Sequence, residues 1–211
     1  MQHIIPAILE ANAVDLAKKL KVLAGNTQWV HIDVMDGLFV PETSAPLSAL
    51  EKLEDGFDYE VHLMVRDPAS YFALCQQVRA KRVVFHIEGV KDPEGVFREM
   101  QKYSFERGIA LNPETPVDVV KKWRNQIDSL LLMGVHPGKQ GQELIPAVVE
   151  KIRALRMFSS DVLLGVDGGM GSDTIEQVFE AGIDYAVVGS GIWKHEDPVA
   201  ALRKLEAMVL R

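Results

Sequence analysis

Four polar side chains stand inside short apolar segments of this chain, where a buried charge needs a partner. His31 and Asp33 lie two residues apart in one segment, His62 lies in a second, and Asp167 lies in a third. Because alternate residues of a β-strand point to the same face, we expect His31 and Asp33 on one face, about 7 Å apart. Buried carboxylates that approach one another cannot both ionise cheaply, and a divalent cation removes that conflict. Two imidazole nitrogens and two carboxylate oxygens suit Zn²⁺, Fe²⁺, Mn²⁺ or Co²⁺ better than Mg²⁺ or Ca²⁺.

Each of these residues also has an ordinary structural interpretation. A single buried histidine is more often a hydrogen-bonded core residue than a ligand, and a single aspartate often caps a helix or closes a turn. All four residues lie near strand ends, at positions whose side chains point to the same side of the sheet. This arrangement favours the metal site. His86 and His136 also end predicted strands, but we assign them no ligand role because no carboxylate of matching parity adjoins them. We expect Asp36 to cap a helix or to pair in a loop.

Glycine-bearing segments follow three of the predicted strands and indicate a phosphate site. They contain Gly138 and Gly141 after the sixth strand, Gly168 and Gly169 after the seventh, and Gly189 and Ser190 after the eighth. Glycine lets the backbone approach a ligand closely, and N–H groups at helix starts bind anions. Turn geometry explains any one of these loops equally well, whereas three loops meeting at one rim favour phosphate binding. Lys139 either adds positive charge to this site or extends into solvent.

The elements that must position these residues alternate along the chain. Short apolar runs predict strands at residues 3–9, 29–36, 59–65, 82–88, 108–114, 129–137, 162–169 and 185–193. Helical spacing of apolar residues predicts helices at 13–25, 46–54, 68–80, 94–104, 116–126, 145–158, 172–182 and 197–210. Eight such repeats predict a parallel sheet closed into a compact (β/α)₈ TIM barrel. The alternative, an open doubly wound sheet, typically carries GxGxxG after its first strand, and HIIPAILEAN lacks that pattern.

Length and composition limit the class of protein. With 211 residues and no linker-like stretch, the chain is expected to form a single barrel domain over residues 1–211. A net charge of −7 argues against a nucleic-acid partner. No apolar run is long enough for a membrane span, and the N-terminus does not resemble a secretory signal. A single cysteine fits a reducing compartment, so we expect a cytoplasmic protein with no membrane partner.

Several short segments, each weak alone, occur in one order along the chain. They are HIDVMDGLFVP at 31–41, VHLMV at 61–65, LNPETP at 111–116, PGKQGQ at 137–142, VDGG at 166–169 and VGS at 188–190. The ordered set resembles the ribulose-phosphate 3-epimerase family from the first predicted strand to the eighth.

This resemblance implies an enzyme that inverts the carbon next to the ketone of a phosphorylated ketose, typically D-ribulose 5-phosphate to D-xylulose 5-phosphate. It implies that His31, Asp33, His62 and Asp167 hold a divalent metal, with Asp33 removing the C3 proton and Asp167 returning one on the other face. It further implies contacts to the sugar phosphate from Ala7, His62, Gly138, Lys139, Gln140, Gly141, Gly168, Gly169, Gly189 and Ser190. By the same analogy we expect a homo-oligomer.

Departures from the family pattern lie around the substrate and not around the metal. Ala7 replaces a serine that hydrogen-bonds substrate in the family, and further differences occur at Glu10, Leu38, Glu42, Lys139 and Gln140. They leave the sugar open, with allulose 6-phosphate as an alternative. A non-catalytic paralogue that binds sugar phosphate is a second hypothesis, and a metal-free phosphate-binding barrel isomerase is a third.

Overall fold

A closed barrel of eight parallel strands forms the centre of the molecule. The computed structural model describes residues 3–53, 56–157 and 161–209. The strands, each paired with the next, are β1 (His3–Ile8), β2 (Trp29–Met35), β3 (Asp58–Met64), β4 (Ala80–His86), β5 (Glu106–Leu111), β6 (Ser129–Met133), β7 (Leu163–Asp167) and β8 (Tyr185–Val188). Because β8 pairs back with β1, the sheet has no free edge. The predicted barrel is confirmed, and the open doubly wound sheet is excluded.

Helices connect the strands, mostly where the periodicity predicted them. They are α1 (Ala13–Leu23), α2 (Phe72–Gln77), α3 (Pro93–Met100), α4 (Asp118–Trp123), α5 (Ala147–Arg156), α6 (Ile175–Ala181), α7 (Ser190–Trp193) and α8 (Pro198–Val209). The predictions were wrong in four details. Leu47–Lys52 and Pro68–Tyr71 are 3₁₀ helices, Ile87–Gly89 is a 3₁₀ helix where the fourth strand was expected to continue, and α7 follows β8 where a strand was expected. Such short segments form few i→i−4 hydrogen bonds, so the α-helix has little advantage over the tighter 3₁₀ helix. In the described part of the chain, no helix has the length and apolarity that crossing a bilayer requires.

Successive strand residues face opposite sides of the barrel wall. Val30 and Ile32 on β2 belong to the large apolar core that also contains buried residues of the surrounding helices. Residues of the other parity, such as Val84 and Leu131, form a smaller cluster made almost entirely of strand residues. This second cluster fills the inside of the barrel, as in other (β/α)₈ folds. The parity of a strand residue therefore decides whether it meets a helix or the barrel interior.

Polar side chains occupy interior positions at two heights of the barrel. The register of β2 and β3 sets Asp33 opposite His62 and, two residues nearer the strand starts, His31 opposite Glu60. The register of β3 and β4 then sets Glu60 opposite Arg82. All five residues are buried. The upper pair lies at the carboxyl ends of the strands, where (β/α)₈ enzymes place their chemistry.

Asp36 holds the loop that follows β2. Its carboxylate accepts hydrogen bonds from the backbone N–H groups of Leu38 at 2.8 Å, Phe39 at 3.1 Å and Arg66 at 2.8 Å. Asp36 therefore has a structural role in a loop, as expected, although it acts through backbone hydrogen bonds and not through an ion pair.

Candidate metal centre and substrate cleft

His31, Asp33, His62 and Asp167 converge at the mouth of the barrel. Asp33 Oδ1 lies 3.0 Å from His62 Nδ1 and 3.2 Å from His31 Nε2. Asp167, at the end of β7, brings Oδ2 to 3.6 Å from His62 Nδ1 and 4.0 Å from His31 Nε2. One ligand atom from each residue lies within 4.8 Å of the ligand atoms of the other three. Three separate strands thus deliver the four side chains to one point.

Burial and mutual charge give the two carboxylates different affinities for a proton. Burial works to raise the pKa of Asp33, but the charges and hydrogen bonds of His31 and His62 outweigh it and lower that pKa. Burial and the charge of Asp33 together raise the pKa of Asp167 to about 6. Burial opposes protonation of His31, yet Asp33 and Glu60 raise the pKa of His31 well above its usual value. The cluster therefore contains one readily ionised carboxylate and one that holds its proton more tightly.

This donor set fits a divalent transition metal. Two imidazole nitrogens with two carboxylate oxygens are ligands that zinc and the neighbouring divalent ions bind well. A cation among them relieves the repulsion from Asp33 that raises the pKa of Asp167. The side chains of Asp33 and Asp167 remain 9% and 13% exposed, which leaves an approach for a further ligand from the cleft. The cluster is able to bind a metal.

Two further buried side chains, Glu60 and His86, form hydrogen bonds with the histidines of the cluster. Glu60 Oε1 lies 2.6 Å from His31 Nδ1. His86 Nε2 lies 2.9 Å from His62 Nε2, and His86 Nδ1 faces Glu88 Oε2 at 3.4 Å. The expectation that no carboxylate adjoins His86 was wrong, because Glu88 follows it by two residues. The same parity rule also finds Glu60, two residues before His62.

A cleft above the cluster collects the residues expected to contact substrate. Its lining includes Ala7, Gly138, Lys139, Gln140, Gly141, Gly168, Gly169, Gly189 and Ser190, together with Asp33 and Asp167. His62 is the exception, because it is fully buried beneath the cleft. Gly168 adopts a φ of +92°, and a Cβ there would lie 2.4 Å from Val135 Cγ2. Only glycine allows the backbone to pass this close to the β6 loop.

Three of the departures noted in the sequence line this cleft, Ala7, Lys139 and Gln140, whereas Glu10, Leu38 and Glu42 do not. Ala7 presents a methyl group, and its carbonyl oxygen accepts a hydrogen bond from Trp193 Nε1 at 2.6 Å. Gln140 Nε2 donates to the Leu9 carbonyl at 2.7 Å, which ties the β6 loop to the end of β1. Lys139 is exposed on the rim and makes no ion pair with any residue the structure describes. The cleft therefore presents a methyl group at Ala7 and a cation at Lys139.

Comparison with known proteins places the chain among sugar-phosphate epimerases. The model of the Ribulose-phosphate 3 epimerase family matches residues 3–193. The ribulose-phosphate 3-epimerase of Mycobacterium bovis is 37% identical over 208 residues, covering 96% of this chain and 90% of that protein. The enzyme of the same name from Bacillus subtilis is 33% identical over 214 residues, covering 97% of this chain and 98% of that protein.

Solved structures support the fold independently. The 3-hexulose-6-phosphate synthase of Salmonella typhimurium aligns with a TM-score of 0.76 over 99% of this chain and 98% of that one. At 14% sequence identity this likeness extends to the barrel architecture only.

Proposed function

Because the chain belongs to the ribulose-phosphate 3-epimerase family, and is thus an isomerase acting on a carbohydrate, we propose that it interconverts D-ribulose 5-phosphate and D-xylulose 5-phosphate. One observation carries the proposal: carboxylates from β2 and β7, Asp33 and Asp167, meet two buried histidines at the floor of one cleft. Inversion at a single carbon needs a base and an acid on opposite faces, and these strands stand on different sides of the barrel.

Asp33 is the base in the direction from ribulose 5-phosphate. Its low pKa keeps the carboxylate ionised, so an oxygen is free to accept the C3 proton. The electrons of the C3–H bond then form the C2–C3 double bond, and the C2 carbonyl oxygen takes the negative charge. A divalent cation held by His31, Asp33, His62 and Asp167 supplies Lewis acidity toward the adjacent oxygens, because a carboxylate alone is too weak a base for this proton.

Asp167 is the acid in that direction. It lies on β7, away from Asp33 on β2, so its carboxyl is the one placed to deliver a proton to the face of C3 that Asp33 does not reach. It donates this proton to the opposite face of C3, and the C2 carbonyl re-forms as the double-bond electrons move to the new C–H bond. From xylulose 5-phosphate the two residues exchange roles.

The glycine loops bind the phosphate end of the substrate. Gly168, Gly169 and Gly189 follow β7 and β8, where barrels of this type commonly hold a phosphate group. Their backbone N–H groups are the donors we assign to the phosphate oxygens. Lys139 stands on the same rim and adds a positive charge there.

The reaction is tested by product formation in deuterated water. Protein supplied with Zn²⁺, Fe²⁺, Mn²⁺ or Co²⁺ should convert ribulose 5-phosphate to xylulose 5-phosphate and place one deuterium at C3, as followed by NMR. Allulose 6-phosphate in a parallel reaction measures the preference for a pentose over a hexose. A metal-loaded sample that exchanges no C3 proton of either sugar contradicts the proposal.

A non-catalytic sugar-phosphate-binding protein is the second candidate, because Ala7 removes a substrate hydroxyl contact and Lys139 alters the rim of the cleft. This candidate predicts measurable binding of ribulose 5-phosphate in calorimetry together with no exchange at C3.

The variant Ala7→Ser should restore a hydrogen bond to the substrate. One neutral hydrogen bond contributes about 1 kcal/mol, so KM for ribulose 5-phosphate should fall about five-fold while kcat changes less than about two-fold. The side chain lies on the interior face of β1 at the cleft, and Gly189 opposite leaves room for the added oxygen. Steady-state kinetics of both proteins measure the change. An unchanged KM would show that the substrate does not reach Ala7.

The variant Gly189→Ala should weaken phosphate binding more than it destabilises the fold. Gly189 has φ −94° and ψ −90°, just beyond the helical region, so alanine there has a small backbone cost, and its Cβ would meet only Ala7 Cβ at 3.8 Å. A methyl group in this space shields the backbone N–H groups assigned to phosphate, so we expect KM to rise at least about ten-fold, the loss of more than one hydrogen bond. The unfolding temperature serves as the control. A wild-type KM in this variant would remove Gly189 from the phosphate site.

A further inference from the structure

We propose that Glu60 and Arg82, in the lower layer of the barrel interior, are positioning residues that orient His31 toward the metal. This inference rests on the proposed function, because it concerns how the chain holds the cation. Neither residue lines the cleft, and neither carries a ligand atom of the four-residue cluster.

The two carboxylate oxygens of Glu60 have different partners. Oε1 lies 2.6 Å from His31 Nδ1, and Oε2 lies 2.8 Å from Arg82 Nη1. Glu60 is 0% exposed, so no water competes for either oxygen. A carboxylate held at both ends in this way has a fixed plane, and that plane fixes the orientation of the His31 ring.

Hydrogen-bond direction then determines which nitrogen of His31 faces the cluster. Arginine only donates, so Glu60 Oε2 is an acceptor, and the ion pair with Arg82 favours a Glu60 carboxylate that also accepts from His31. His31 Nδ1 therefore carries the proton that Glu60 accepts, and Nε2 is the nitrogen that can offer a lone pair to a cation. Nε2 is the atom that lies 3.2 Å from Asp33 Oδ1 and 4.0 Å from Asp167 Oδ2. A carboxylate behind a histidine ligand also raises the basicity of the ligating nitrogen.

Arg82 is held in place by contacts that do not depend on His31. Its guanidinium carbon lies 4.8 Å from the ring centre of Trp29 and 5.0 Å from that of Tyr185. Its Nε also donates to Glu106 Oε2 at 2.9 Å. Arg82 is therefore anchored on three sides, and Glu60 is the group whose position it determines.

If the Glu60–Arg82 ion pair served only to stabilise the barrel, its removal would not change the affinity for metal. Buried pairs are often replaceable by apolar residues of similar size without loss of stability. Neighbouring interior residues such as Ile5, Val84 and Leu131 are apolar, so a charge is not required to fill this part of the barrel. If the pair acts on His31, its removal lowers the affinity for metal even where the fold is as stable as before.

Three variants separate these roles through the dissociation constant for Co²⁺, measured by calorimetry and visible absorption without any turnover. Glu60→Gln keeps the shape and one acceptor but removes the charge, and it should raise the dissociation constant about ten-fold. The double variant Glu60→Met with Arg82→Met removes the pair and should raise it about 100-fold at an unfolding temperature close to that of wild type. Glu106→Gln is the matched control, since it removes a carboxylate from Arg82 but not from His31, and should leave the constant within about two-fold.

The outcomes are distinguishable from failure of the proposed function. Wild-type affinity for Co²⁺ in the double variant overturns the positioning role and leaves the epimerase proposal intact, and this holds even if Glu60→Gln does not fold. An equal loss of affinity in Glu106→Gln also overturns it, because the loss would then follow the total charge of the lower layer and not the hydrogen bond from His31 to Glu60. A wild-type protein that binds neither Co²⁺ nor Zn²⁺ removes both the inference and the metal site.

Discussion

The variant Asp167→Asn is expected to lose epimerisation by about 10²- to 10⁴-fold while still exchanging the C3 proton of ribulose 5-phosphate with solvent. Asp33 remains able to remove that proton, and an exchanged deuteron returns from the same residue to the same face. Without a proton donor on the other face, the product does not form. The measurement is NMR of both sugars in deuterated water, with ribulose 5-phosphate as the starting compound.

Asp33→Asn is the matched reciprocal of that variant. It should exchange the C3 proton of xylulose 5-phosphate, which Asp167 removes in the reverse direction, and should fail to exchange that of ribulose 5-phosphate. Because both residues also belong to the metal cluster, each variant is assayed at saturating Co²⁺ with its metal content measured. Exchange from both sugars in either variant would contradict the assignment of one carboxylate to each face.

Removal of the metal is the second change with a large expected effect. Lewis-acid stabilisation of the developing charge contributes several kcal/mol, so treatment with a chelator should lower kcat by about 10³-fold. Adding back Zn²⁺, Fe²⁺, Mn²⁺ or Co²⁺ in stoichiometric amount should restore the rate. Since the ion binds the folded chain, it should also stabilise the protein by about 4 kcal/mol at 1,000 times its dissociation constant.

The control for this experiment is magnesium, which prefers an all-oxygen octahedral site and should not restore activity at equal concentration. Full activity after exhaustive chelation, with metal absent by elemental analysis, would contradict the metal-dependent reaction and favour a metal-free barrel isomerase.

Much of the fold followed from periodicity and parity in the sequence. Apolar runs alternating with helical spacing predicted the barrel, because strands buried on both faces must be apolar throughout. The positions of His31, Asp33 and Asp167 near strand ends then placed them at one rim, since all strands of the barrel run in the same direction. The two short 3₁₀ helices were mistaken for α-helices because their apolar spacing fits either geometry over so few residues.

The contacts of Glu60 and Arg82 below the four-residue cluster could be found only from the structure. Glu60 obeys the same parity as His62, yet its meaning depends on Arg82, which comes from β4, and on the register that sets the two side by side. Register between strands is determined by packing and loops far from the paired residues. The hydrogen bond from Gln140 to the Leu9 carbonyl likewise joins positions 131 residues apart. No local pattern predicts such a contact.

The proposed reaction depends on a single cation bound by four side chains. Anomalous X-ray scattering from crystals of the Co²⁺-loaded protein tests for that cation directly. We expect one peak at the barrel mouth, about 2.0–2.2 Å from His31 Nε2, His62 Nδ1 and one oxygen each of Asp33 and Asp167. A fully loaded crystal with its peak elsewhere, or with these four side chains turned away from one another, would contradict the account.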